Sequence, residues 1–260
     1  MNDREKIMLD VMAELSRAHA PVAFKGAMLL KIALEDTNTS SVARATRDLD
    51  GDWLNTNVSM EQMTGIVEKA VQKVNPDLSV DVFRAFGENK SAGFWILNQN
   101  KERFFSIDLG IRPHPFQQDY QIIYQGKPLY IRGATRSKML SDKICAIASP
   151  KVFRRAKDLV DVYILSHSKD VNLLDVHRTI HAGGRTLGSF EEFRTRKDDL
   201  KHAYEKLANV ENKPDFSALY GRLETFLAPF IEKKLRPLTW TGEAWAAPQR
   251  SANSTKNIGR

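Results

Sequence analysis

Strand-like patterning in this chain stops at Gly133, and the periodic segments that follow it repeat at helical spacing. A chain divided in this way is not a uniform alternation of strands and helices. The reading is therefore α+β: a mixed sheet with flanking helices in residues 1–133, then an all-helical domain in residues 134–240. Residues 241–260 lack apolar periodicity and are expected to form a disordered tail. At 260 residues the chain is long enough to bury a substantial core.

The first half resolves further. Ile7, Met8, Val11, Met12 and Leu15 predict an amphipathic helix over residues 3–18. Pro21 ends it, and Val22–Phe24 reads as a short strand closing at Lys25-Gly26 before a helix from Ala27 to Leu34. A polar loop, 35–43, leads into Asp48–Trp53, whose alternation suits a strand. Ser59-Met60-Glu61-Gln62 has the form of a capping box and opens a helix to Val74. Strands are expected at 79–86, 94–97, 104–109 and 121–131, the last broken by a turn at Gln125-Gly126. Beyond Gly133, helices are expected near 136–148, 150–167, 172–181, 190–208 and 215–235.

Composition narrows the function classes. No stretch approaches the ~20 apolar residues of a membrane span, and the charged N-terminus does not resemble a signal peptide. Cys145 is the only cysteine, so an internal disulfide is impossible and a cytoplasmic location is expected. A net charge of +7 and an isoelectric point near 9.4 suit a phosphate-rich partner without establishing one.

The chemistry is concentrated in acids. Asp48 and Asp50 are two apart on a predicted strand, so both side chains leave one face. That spacing lets them share divalent metal, and hard carboxylate oxygens suit Mg²⁺. Asp108, late in another apolar strand, shares a face with Ser106 and is the third candidate ligand, or a base for an attacking hydroxyl. Three acids holding metal can activate a hydroxyl and stabilise a leaving pyrophosphate. An Asp-x-Asp pair alone is common by chance, so its surroundings carry the argument. Upstream, Phe24-Lys25-Gly26-Ala27 forms a small-residue turn at a helix N-terminus, where free N–H groups can receive phosphate. Immediately before the acids, Arg44 to Arg47 supplies cations and the Thr46 hydroxyl.

At this point the residues resemble the AbiEii/AbiGii-type toxins of the DNA polymerase β-like nucleotidyltransferase superfamily. Arg44-Ala45-Thr46-Arg47-Asp48-Leu49-Asp50 fits the pattern Arg-x-Ser/Thr-x-Asp-Ile/Leu-Asp. The upstream turn fits less well, because Ala27 stands where a second Gly or a Ser is usual. In the helical half, Asp142-Lys143-Ile144-Cys145-Ala146 resembles the family's Glu/Asp-Lys-x-x-Ala. Likewise Arg155-Ala156-Lys157-Asp158-Leu159-Val160-Asp161 resembles Arg-x-Lys-Asp-x-x-Asp.

The resemblance implies transfer of NMP from an NTP to RNA, with the tRNA 3′ end as acceptor, and a neutralising antitoxin. It implies a catalytic set of Asp48, Asp50, Asp108, Lys143 and Asp161. Nucleotide contacts would come from Lys25, Gly26, Ala27, Arg44, Thr46, Lys143, Lys157 and Asp158. Spacing agrees, since Asp158 and Asp161 share a helix face flanked by Arg154 and Lys157, and Lys143 can serve as a point charge for phosphate. A monomer is the expected state. The alternatives are transfer to a small molecule or protein, and a non-catalytic binding member of the same fold.

Other groupings carry less. His177 and His181 have zincin spacing, but Arg178 stands where the Glu is needed. The glycine-rich run 183–189 follows a helix and reads as a connection, and Cys145 reads as core packing. Lys138, Lys151, Arg154, Arg155, Arg185, Arg194, Arg196 and Lys197 are the candidate RNA-tracking cations.

Overall fold

The computed structural model describes residues 1–34, 41–85, 91–112 and 115–247. Residues 35–40 of the expected loop, Phe86 at the end of an expected strand, and the tail beyond residue 247 lie outside the described residues.

Seven strands of the described residues form one mixed sheet: β1 (Val22–Lys25), β3 (Asp48–Trp53), β4 (Ser79–Arg84), β5 (Ser91–Leu97), β6 (Arg103–Ile111), β7 (Gln117–Tyr124) and β8 (Lys127–Ala134). Their order is β4-β5-β6-β3-β1-β8-β7. The β3–β6 and β1–β8 pairs are parallel and the others antiparallel. Alternation gives the sheet two different faces. One buries Leu49, Trp53, Phe94, Ile96, Phe105, Ile107 and Leu109; the other carries Asp48, Asp50, Ser106 and Asp108.

Helices α1 (Asp3–Arg17) and α3 (Met60–Val74) pack on each other and reach the sheet at β8 and β4. Both start with the capping box legible in their sequences, Asn2 with Glu5 and Ser59 with Gln62. In α3 the buried residues Met63, Val67, Ala70 and Val71 form one stripe, and each large side chain contributes about 1.5–3 kcal/mol of burial. Helix α2 (Gly26–Leu34) starts one residue earlier than the sequence reading placed it.

The C-terminal half contains α4 (Arg136–Ile147), α5 (Ala156–Leu165), α6 (Leu173–Ala182), α7 (Glu191–Thr195), α8 (Lys197–Glu205) and α9 (Phe216–Ile231). Two expected helices are divided. Residues 152–155 form a 3-10 turn before α5, because Arg155 leaves helical geometry at φ −118°, ψ 23°. Arg196, at φ −116°, ψ 51°, separates α7 from α8.

The half is also not all-helical. It carries β9 (Val171–Asn172), β10 (Val210–Glu211), β11 (Thr239–Trp240) and β12 (Trp245–Ala246), each too short for a period-2 pattern to register. Three of them form a small sheet, while β10 pairs with β2 (Ala43–Arg44) of the N-terminal half. Buried apolar residues run as one cluster from Met8 to Trp240, so a single core joins the halves. Among the described residues no helix is long and apolar enough to cross a membrane.

Candidate active site

Register across the sheet assembles the acids. Asp50 on β3 lies level with Lys25 on β1 and with Asp108 on β6, while Asp48 lies level with Ser106. The Ser106 hydroxyl donates to Asp48 Oδ1 at 2.7 Å, fixing one carboxylate of the pair. Gly26 explains the turn. Its φ is +74°, a left-handed value that favours glycine, and any Cβ there would collide with the Asp50 carboxylate. The first residue of α2 therefore sits against Asp50. Burial, joined by repulsion from Asp48, holds the Asp50 pKa above the ordinary carboxylate value against the pull of Lys25, Lys143 and Lys157.

Asp52, one further step along the same face, is a residue the sequence reading passed over. It is buried and accepts from Lys25 Nζ at 2.6 Å and Arg112 Nε at 2.9 Å. These cations hold its pKa down although burial, the largest influence, pushes it up. Asp52 thus aims Lys25 and Arg112 along the rim of the site.

The signature loop is held from two sides. Arg44 makes a two-point contact with Asp161, Nε to Oδ1 at 2.9 Å and Nη2 to Oδ2 at 3.2 Å. Thr46 donates its N–H to Glu5 Oε1 at 3.0 Å, and its hydroxyl bonds the Asp48 backbone at 3.3 Å. Glu5 also accepts Lys31 Nζ at 2.6 Å, so the first turn of α1 braces the loop.

The structure brings Lys143, Asp158 and Asp161 into one buried cluster. Lys143 Nζ lies 2.7 Å from both Asp158 Oδ1 and Asp161 Oδ2. Arg155 Nε lies 2.5 Å from Asp158 Oδ2, off the axis of a hydrogen bond. Arg44, Lys143 and Arg155 against two carboxylates leave one positive charge. Burial raises the Asp161 pKa, but Lys143 and Arg44 outweigh it and hold the group below its ordinary value. A cleft of about 220 Å³ lies between this cluster and the sheet, lined by Gly26, Asp50, Arg112, Lys143, Arg155 and Arg185.

Other expected contacts are placed differently. Ala27 is buried and lines a second cavity of about 250 Å³ together with Leu30, Arg44 and Asp161. Lys157 is exposed and reaches Asp50 only electrostatically. Asp108 is joined by Arg84 of β4 in an ion pair. Among the described residues no three acidic, histidine or cysteine side chains converge as a ready metal cluster. The donor chemistry nevertheless fits a hard cation, since Asp48 and Asp50 share one face with Asp108 level beside them.

Paired carboxylates two residues apart on one strand of a mixed sheet, set against a helix N-terminus and facing a cationic cleft, are an arrangement suited to a nucleotidyltransferase. The chain belongs to the AbiEii family, "Nucleotidyl transferase AbiEii toxin, Type IV TA system", whose model matches residues 9–240. It is an enzyme of that toxin type, and the family implies a nucleotide substrate, a divalent metal and a cognate antitoxin. Solved structures share its fold. MenT4, a nucleotidyltransferase toxin from Mycobacterium tuberculosis, aligns with TM-score 0.57 at 13% identity over 90% of this chain and 84% of its own. JHP933 from Helicobacter pylori aligns with TM-score 0.52 at 18% identity over 90% and 92%. Comparison with curated proteins gives no match.

Proposed function

We propose that the protein transfers NMP from an NTP to the 3′ end of RNA, with tRNA as the acceptor and Mg²⁺ as the metal. The observation that carries the reading is the juxtaposition of Asp48 and Asp50 with a cleft lined by Lys25, Arg112, Lys143, Arg155 and Arg185. Asp48 and Asp50 would hold Mg²⁺, joined by Asp108 once Arg84 releases it. The metal supplies charge neutralisation at the triphosphate and a more acidic acceptor hydroxyl.

The chain's own groups do the rest. Backbone N–H groups at Gly26 and Ala27 receive phosphate at the start of α2. Arg44 and Asp158 hold Lys143 and Asp161 in place, and Lys25, Lys143 and Lys157 face the polyphosphate with positive charge. The acceptor hydroxyl oxygen bonds to the α-phosphorus as the bond to the pyrophosphate bridging oxygen breaks. The hydroxyl proton passes to Asp108 where that residue is not a metal ligand, and to solvent otherwise. Residues 1–133 act as the catalytic core in this scheme, and residues 134–240 complete the nucleotide side of the cleft.

The test incubates purified protein with total RNA, Mg²⁺ and each labelled NTP in turn. Labelled RNA that disappears with Asp48→Ala and Asp50→Ala is the expected result. Label on a protein or small molecule, with none on RNA, overturns the acceptor assignment.

A further inference from the structure

The sheet face that carries the acids continues past them onto β5 and β4, where it changes character. Trp95 is level with Ser106, and Gly93 is level with Asp108. On β4 the register shifts between Val82, which opposes Phe94, and Arg84, which opposes Gly93. Phe83 is the inserted residue of this bulge. Regular alternation would put Arg84 on the same face as Val82, the face of Phe94 and Ile107. The bulge instead turns Phe83 and Arg84 together toward the face of the acids. The Phe83 ring occupies the space above Gly93, where a Cβ would collide with it.

The result is a short aromatic platform beside the acids. Phe83 stacks on Trp95 with ring centroids 5.0 Å apart and planes 18° from parallel. Arg84 lies over the Phe83 ring at 5.3 Å while pairing with Asp108, and Arg103 lies over Trp95 at 5.6 Å. Phe83 remains 37% exposed, while Phe94 and Ile96 on the opposite face of β5 are fully buried. An exposed aromatic stack capped by two guanidinium groups matches an unpaired base with its phosphates: a base takes a guanidinium's place over a ring, and the displaced cation answers the backbone charge.

We infer that Phe83 and Trp95, with Arg84 and Arg103, form the stacking site for the unpaired end of a single-stranded RNA acceptor. The inference rests on the RNA-acceptor reading above and deepens it. The platform is continuous with the acids through the Gly93–Asp108 and Trp95–Ser106 pairs, so a base seated there lies next to the reacting centre. The net charge of +7 accords with a polyanionic occupant, and the stacked rings favour a nucleic acid over an acidic peptide.

The test measures binding of a fluorescein-labelled single-stranded RNA of about 12 nucleotides by anisotropy, beside the same RNA with an abasic 3′-terminal residue. Phe83→Ala is expected to weaken binding of the intact RNA about tenfold, the scale of one lost base stack. Phe83→Leu, which keeps apolar bulk on the sheet without a π-face, is expected to lose the same amount. Phe83→Tyr is expected to bind as the wild type does. The abasic RNA is expected to bind wild type and Phe83→Ala equally. Wild-type affinity in both Phe83→Ala and Phe83→Leu overturns the platform, and so does an equal loss for intact and abasic RNA. If RNA is bound and labelled while those variants behave normally, the platform alone falls. If wild type binds no RNA and labels another acceptor, both readings fall.

Discussion

Two pairs of aspartates stand on either side of one cleft, and their surroundings differ. Asp158 and Asp161 on α5 are fully buried and are met by Arg44, Lys143 and Arg155. Among the described residues Asp48 and Asp50 on β3 join no cation in an ion pair; Asp48 has only the Ser106 hydroxyl as its side-chain donor. Removing a partner from a buried ion cluster leaves charge stranded in low dielectric, and Asp161, through Arg44, carries that cost across the two halves. The β3 pair is left under-neutralised, the condition in which added cation is most strongly attracted. The saturated acids hold elements together, and the unsaturated acids are the ones to which the proposed function assigns the metal.

The sharpest break of that contrast is a stability measurement. Asp161→Ala strands Arg44, leaves Lys143 with Asp158 alone, and is expected to lower the unfolding free energy by about 3–5 kcal/mol in urea denaturation. Asp50→Asn is expected to keep or raise the denaturation midpoint, because burial and repulsion from Asp48 disfavour the charged form of this carboxyl. Equal losses from the two substitutions would erase the distinction.

A smaller effect probes the third acid. Arg84 neutralises Asp108, so Arg84→Ala should tighten Mn²⁺ binding roughly tenfold, the scale of one charge beside a carboxylate. Free Mn²⁺ followed by electron paramagnetic resonance reads this directly. Arg84→Lys should stay near wild type, and unchanged affinity in Arg84→Ala would leave Asp108 outside the metal site.

The smallest effect lies in acid. Glu5 is pushed up by burial but held below its ordinary value by Lys31 and the Thr46 N–H, and Asp161 is likewise depressed. A depressed carboxyl contributes stability above its unfolded pKa of about 4, and that contribution is lost as pH falls through the lower folded value. Glu5→Gln keeps an acceptor for the Thr46 N–H but gives up the Lys31 charge pair. It should cost about 1 kcal/mol at neutral pH and flatten part of the acid loss seen in thermal melts. A melt-versus-pH curve parallel to wild type would remove Glu5 from the brace.

Much of this was legible in the chain. The run from Arg44 to Asp50, the capping box of α3 and the switch at Gly133 are local patterns, and local patterns survive in sequence. The face shared by Asp48 and Asp50 follows from alternation, and the same alternation extends to Asp52. What could not be read depends on distant partners. Arg44 finds Asp161 across 117 positions, and Glu5 finds Thr46 across 41. The bulge that aims Arg84 is one inserted residue in an ordinary strand pattern. Lys143, Asp158 and Asp161 matched a motif, yet their grouping with Arg44 emerges only from packing.

The β2–β10 pairing also sets an order of events during synthesis. The strand that contains Arg44 is made early, while its backbone partner, Val210-Glu211, emerges only after α4 and α5 have been translated. A nascent chain halted before that point lacks the strand that closes on Arg44. One halted before α5 also lacks the carboxylate that grips its guanidinium.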